Sequence, residues 1–121
     1  MRRLLAAALM SFAVMPASAM GLSFEWGQTK KCFDRNSPPM TVSAVPDGAK
    51  KLRIRMIDLN APNYPHGGGT IAYEGSGKLA YGAFRYQGPC PPSPHVYQFT
   101  VEALDAKGKV IGKATAKKRF P

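Results

Sequence analysis

Four side chains in this sequence stand where ordinary packing has no use for them. In the segment from His95, the residues His95, Tyr97, Phe99, Val101 and Ala103 share one parity, while Gln98, Thr100 and Glu102 take the other. That period of two marks a half-buried strand, so His95 and Tyr97 stand at the entrance end of an apolar face. In an earlier segment Leu52, Ile54 and Met56 alternate with Lys51, Arg53 and Arg55. Continuing the inner parity reaches Asp58 and then Asn60. Polar groups on an inward face need a partner or a ligand. A phenol and an imidazole can donate hydrogen bonds to an anion, and a protonated imidazole adds charge assistance. A carboxylate repels an anion. Its use there is to orient or charge a histidine, or to accept from a protonated phosphate or an ammonium headgroup.

These side chains need walls to hold them. Directly before His95 runs Gly88-Pro89-Cys90-Pro91-Pro92-Ser93-Pro94. Proline lacks an N–H and holds φ near about −65°, so this is a stiff loop and not a strand. The chain has two cysteines, Cys32 and Cys90. No C-x-x-C pair points to metal or redox chemistry. In an exported chain the expectation is a disulfide that ties the N-terminal segment to the proline loop. A lone histidine, His66, precedes Gly67-Gly68-Gly69. Glycines let a backbone approach closely, but the Gly-Lys-Ser/Thr ending of a phosphate loop is missing.

Export is itself a reading of the N-terminus. Arg2 and Arg3 precede the apolar run Leu4 to Val14, and Ala17-Ser18-Ala19 follows. This is the pattern of a secretory signal peptide cut after Ala19, which makes the protein periplasmic or secreted. A membrane anchor would need about 20 apolar residues, more than this run offers. Residues 20–121 then form a single domain. The chain has 17 basic and 7 acidic residues, a net charge of +10. An exported basic protein meets anionic lipid, polysaccharide or acidic proteins before nucleic acid. No nucleic-acid partner and no stable membrane insertion are expected.

Extended segments are expected over residues 20–29, 40–45, 51–58, 70–73, 79–85, 95–103 and 109–117. Pro46-Asp47-Gly48, Glu74–Lys78 and Asp105–Gly108 supply turns between them. No sustained helical period interrupts this pattern, so the fold class is all-β, a sandwich.

Asp58-Leu59-Asn60-Ala61-Pro62, a loop histidine, Gly88-Pro89-Cys90-Pro91-Pro92 and His95-x-Tyr97-x-Phe99 occur in that order. This series resembles the phosphatidylethanolamine-binding protein (PEBP) family, in particular its bacterial YbhB/YbcL-type, Raf kinase inhibitor-like branch. The family marks are Asp-Pro-Asp-Ala-Pro, then Gly-x-Pro-Pro and His-Arg-Tyr. Here Asp58-Leu59-Asn60 lacks one carboxylate and His95-Val96-Tyr97 lacks the arginine. The resemblance implies a short, PEBP-like Greek-key β-sandwich with a small anion pocket at one end. Carried over, the ligand-binding residues are Asp58, Asn60, His66, Gly88, Pro91, Pro92, His95 and Tyr97, with the backbone at Cys90 and Tyr64 at the rim.

The expected function is non-catalytic binding of a small anion: phosphate, a phospholipid headgroup or a carboxylate. No cofactor is expected. The alternative is a protease- or kinase-inhibitor-like module that binds protein through the proline loop. Two enzymatic readings have weaker footing. Asp58, His66 and His95 would make a two-histidine, one-carboxylate metal site. Ser93 would make a hydrolase nucleophile, but it sits between prolines without a nucleophile elbow. Imidazoles titrate near neutrality, so on the anion reading calorimetry with phosphate shows tighter binding as pH falls from about 8 to about 6. Binding that ignores pH removes the histidines from the role.

Overall fold

The alternation read in residues 51–58 and 95–103 becomes the centre of the molecule. The computed structural model describes residues 19–121. The leader expected over residues 1–19 lies outside the described residues except for Ala19. The strands are β1 (Gly21–Phe24), β2 (Met40–Ser43), β3 (Lys51–Asp58), β4 (Gly68–Ala72), β5 (Lys78–Leu79), β6 (His95–Leu104) and β7 (Val110–Phe120). No helix occurs among the described residues. The strands form two antiparallel sheets, β1-β2-β5 and β4-β3-β6-β7. The described residues are all-β, as their periodicity requires.

Several boundaries differ from the expected ones, and three of them have a clear local reason. The first strand stops at Phe24 because the chain turns there, with the Thr29 N–H donating to the Trp26 carbonyl at 2.8 Å. Of the segment expected over residues 79–85, only Leu79 joins a strand, with Lys78 before it, and Arg85 makes an isolated bridge to Asn36. Beyond them the Ala83 N–H turns back onto the Ala80 carbonyl, and Gly82 takes φ 82°. The last strand continues to Phe120, because its ladder with β6 reaches His95.

The inner faces of the two sheets meet in one core. Leu52 and Ile54 of β3 and Phe99 and Val101 of β6 are 0% exposed. Phe24 of the smaller sheet meets Phe99 edge-on, with ring centroids 4.9 Å apart. Each fully buried side chain of this size contributes about 1.5–3 kcal/mol. The β3–β6 ladder sets Asp58 directly opposite Tyr97. The register that fills the core with Leu52, Ile54 and Phe99 therefore also fixes which polar side chains end inside.

Phe99→Ala is expected to cost about 3–5 kcal/mol in urea denaturation, as a large aromatic removed from a closed core does. Lys109→Ala, in an exposed turn, should stay within about 0.5 kcal/mol. Equal effects would place Phe99 outside the core.

Candidate functional site

β3 ends at Asp58 and β6 begins at His95, so the two strand ends lie side by side. The Asp58 carboxylate is buried, and its Oδ2 lies 2.6 Å from His95 Nδ1. Its Oδ1 accepts the backbone N–H groups of Asn60 at 2.8 Å and Ala61 at 3.1 Å. An aspartate that takes the N–H groups two and three residues on turns the chain, which is why β3 stops there. The turn then lifts residues 61–67 into a loop that carries His66 back over Tyr97. Their rings meet edge to face at 5.4 Å. His66 is only 4% exposed.

The opposite wall comes from residues 30–39 and 81–92. Cys32 and Cys90 are joined as a disulfide, with Cα atoms 4.6 Å apart. The Phe33 N–H donates to the Pro89 carbonyl at 3.3 Å, and the Tyr86 N–H to the Arg35 carbonyl at 3.1 Å. Tyr81 O–H donates to the Asp34 carboxylate. Gly88 lies flat on the backbone of Asp34, and a Cβ there would run into the Asp34 carbonyl oxygen. Glycine is required at this point by close approach.

Between these walls lies a cavity of about 200 Å³. It is lined by Asp58, His66, His95 and Tyr97, with Phe33, Ala61, Tyr64, Cys90, Pro91 and Pro92 around them. Hydrogen bonding fixes the state of both imidazoles. His66 Nδ1 lies 2.7 Å from the Gln87 carbonyl oxygen. A carbonyl can only accept, so this Nδ1 carries the proton. His95 Nδ1 donates to Asp58 by the same logic. On each ring Nε2 is the nitrogen available to a ligand.

Burial works against ionisation of Asp58. The His95 hydrogen bond, the Asn60 and Ala61 N–H groups and the charge on His95 outweigh it, and the carboxyl is held below its ordinary value. Burial first, and then the Asp58 charge, push the Tyr97 phenol well above its usual range. Tyr97 therefore keeps its O–H as a donor across ordinary pH.

The structure brings most of the expected site residues together. Asp58, His66, Pro91, Pro92, His95 and Tyr97 line the cavity, and Tyr64 stands on its rim. Asn60 does not. It is exposed, past the end of β3, where its Oδ1 accepts the Val96 N–H at 2.8 Å. The parity argument carried the strand two residues too far, because the turn at Asp58 resets it. Gly88 supports the wall from behind and does not line the cavity. Phe33 and Ala61 line it without having been expected. Phe33 is 41% exposed, lies beside Cys32 and stacks on Tyr64 at 6.2 Å. Its place next to the disulfide was the available signal. Among the described residues no three His, Cys, Asp or Glu side chains gather as a metal-ion site. A larger hollow of about 400 Å³ beside β1, β2 and β5 has only Glu25 and Lys78 as charged groups and no histidine.

Two outcomes test this geometry. A carboxyl with a lowered folded value stabilises the fold above its unfolded value and loses that contribution as pH falls through the folded one. Asp58 has an ordinary value of 3.8. In urea titrations the stability gap between wild type and Asp58→Asn should therefore narrow as pH drops below about 4. A gap that widens there contradicts the ion pair. Reducing the Cys32–Cys90 bridge, which spans 58 residues, should cost about 4 kcal/mol. An unchanged urea midpoint in reductant would show that the wall holds without it.

No protein-family model matches the sequence. No match was found among curated proteins. Solved structures do resemble it. A phosphatidylethanolamine-binding protein homologue, CT736 from Chlamydia trachomatis, superposes with a TM-score of 0.65 at 22% identity, over 85% of this chain and 97% of that one. Escherichia coli YbcL, described as a new member of the mammalian PEBP family, superposes with a TM-score of 0.61 at 18% identity, over 85% and 98%. The chain thus has a fold like that of phosphatidylethanolamine-binding proteins.

Proposed function

We propose that this chain is a non-catalytic, exported binding protein that holds a small anionic group in the cavity between Asp58, His66, His95 and Tyr97. The observation that carries the reading is the pair of imidazoles. Each has Nδ1 committed to a protein acceptor, and each lines the same cavity as the Tyr97 phenol. When Nε2 is protonated, both rings donate to an anion with charge assistance. When it is neutral, each accepts from a protonated phosphate oxygen. Asp58 already takes three donors on its two oxygens. Its role is to orient and charge His95.

Size narrows the ligand. About 200 Å³ is below the roughly 300–1,000 Å³ of sites that enclose a drug-sized molecule. Phosphate, a carboxylate or the headgroup of a phospholipid fits; an enclosed acyl chain does not. The lining contains no serine, threonine or lysine, and its one cysteine is in the disulfide. Export is supported by the disulfide, since such bonds persist in oxidising compartments, and by the N-terminal sequence. The likeness to phosphatidylethanolamine-binding proteins agrees with a headgroup-sized site.

Calorimetry with inorganic phosphate and with phosphorylethanolamine tests the reading. A charge-assisted hydrogen bond contributes about 1.5–3 kcal/mol, so His95→Ala and His66→Ala should each weaken binding by about tenfold or more. Retention of full affinity in both variants would end the proposal. Mature protein recovered from outside the inner membrane should begin at Met20, and an intact Met1 there would remove the export reading.

A further inference from the structure

The period of two that turns Asp58 and Tyr97 inward must turn their neighbours outward. On β3 these are Lys51, Arg53 and Arg55, and on β7 they are Lys113, Lys117 and Arg119. All six project from the face of the four-stranded sheet that points away from the core. On the strands of this sheet Glu102 is the outward carboxylate, and Arg53 Nη2 already holds its Oε1 at 3.0 Å. β6 lies between the two cationic strands and offers Gln98 and Thr100. Strands lie about 4.8 Å apart, so the basic rows are separated by about 10 Å, with a neutral hydrogen-bonding floor between them. The loop after β3 makes a side wall. A hollow of about 460 Å³ lies between it and the sheet, lined by Arg55, Ile57, Gln98 and Thr100 on one side and Tyr64 and His66 on the other.

We propose that this outward sheet face is a docking surface for an anionic polysaccharide. Charge complementarity is the first argument, since the face sets these six cations against the one carboxylate of Glu102. The floor is the second. A sulfated or carboxylated sugar chain alternates fixed anions with hydroxyls, which suits basic rows flanking Gln98 and Thr100. A bilayer surface would call for apolar side chains to insert among the cations. The apolar residues of the outward parity, Ile57 and Val96, are half-buried, and the exposed large ones, Phe33, Leu59, Tyr64 and Val110, lie in loops or at a strand end. Single-stranded nucleic acid would call for aromatic stacking platforms, and the outward positions of β3, β6 and β7 hold none. The side wall, through Tyr64 and His66, also borders the Asp58 cavity, but the six cations lie on the opposite parity from Asp58 and Tyr97, so their removal tests this proposal and not the anion reading.

Heparin is the probe, with a DNA duplex and phosphatidylglycerol vesicles as the competing arms. Two charge-matched triple variants decide the case: Arg55→Ser/Lys117→Ser/Arg119→Ser on the face, and Lys30→Ser/Lys31→Ser/Lys107→Ser away from it. All six positions are exposed. Each lost ionic contact removes about one counterion from the salt dependence, so the face variant should lose about tenfold or more in affinity at low salt and flatten the salt slope by about three. The off-face variant should bind as wild type does. Equal losses in both variants would show net charge alone and overturn the proposal. So would duplex or vesicles bound as tightly as heparin. Should the triple face variant fail to fold, Lys117→Glu carries the same comparison.

Discussion

The Asp58 carboxylate is the group on which the site's geometry depends. It is 4% exposed, and a carboxylate that deep is costly unless its oxygens are filled. Three donors fill them: His95 Nδ1 and the N–H groups of Asn60 and Ala61. Each donor does a second job. The backbone pair ends β3 and starts the loop that carries His66. The imidazole is fixed in one tautomer and one orientation. Removing the carboxylate would release the strand end, the loop and the histidine together. This coupling explains why an anion-repelling group sits beside a proposed anion site: it acts through His95 and not on the ligand.

The carboxylate can do this only because the register of the β3–β6 ladder is unambiguous. Slipping one residue would exchange every inward side chain for an outward one. Leu52, Ile54, Phe99 and Val101, all 0% exposed, would then meet water while Arg53 and Arg55 entered the core. Hydrophobic burial therefore supplies the energy that places the polar groups. The other wall has no strand to hold it. It depends on the Cys32–Cys90 bond, on the Asp34 carboxylate and on Gly88 packed against residue 34. One side of the cavity is thus held by a ladder and the other by cross-links between loops.

What could be read from the sequence follows the same division. Strands β3 and β6 were legible because alternation is a local signal, and Asp58, His95 and Tyr97 came with them. The fold class followed from the repeated short extended segments and their turns. Loop geometry was not legible in this way. Asn60 was assigned to the pocket by continuing a parity that the Asp58 turn breaks. Phe33 was overlooked because a residue with φ 55° in a loop has no period to betray it. Its position depends on a disulfide partner 58 residues away from Cys32. The extended reading of residues 80–85 failed because Gly82 and the Ala83–Ala80 hydrogen bond make a turn there. Side chains placed by periodicity can be read from the chain; side chains placed by cross-links need the fold.

One sheet thus presents two chemically different surfaces with a single pattern. Its inner parity ends in a carboxylate, an imidazole and a phenol enclosed by proline and aromatic walls, where low polarity strengthens each hydrogen bond. Its outer parity carries arginine and lysine in water, where single charges are screened and only a row of them adds up to recognition. The inner site can afford few contacts because each is desolvated, and the outer face needs many because none is. A small ligand held by two or three donors and an extended polyanion held by a band of cations are the two kinds of partner that such a division suits.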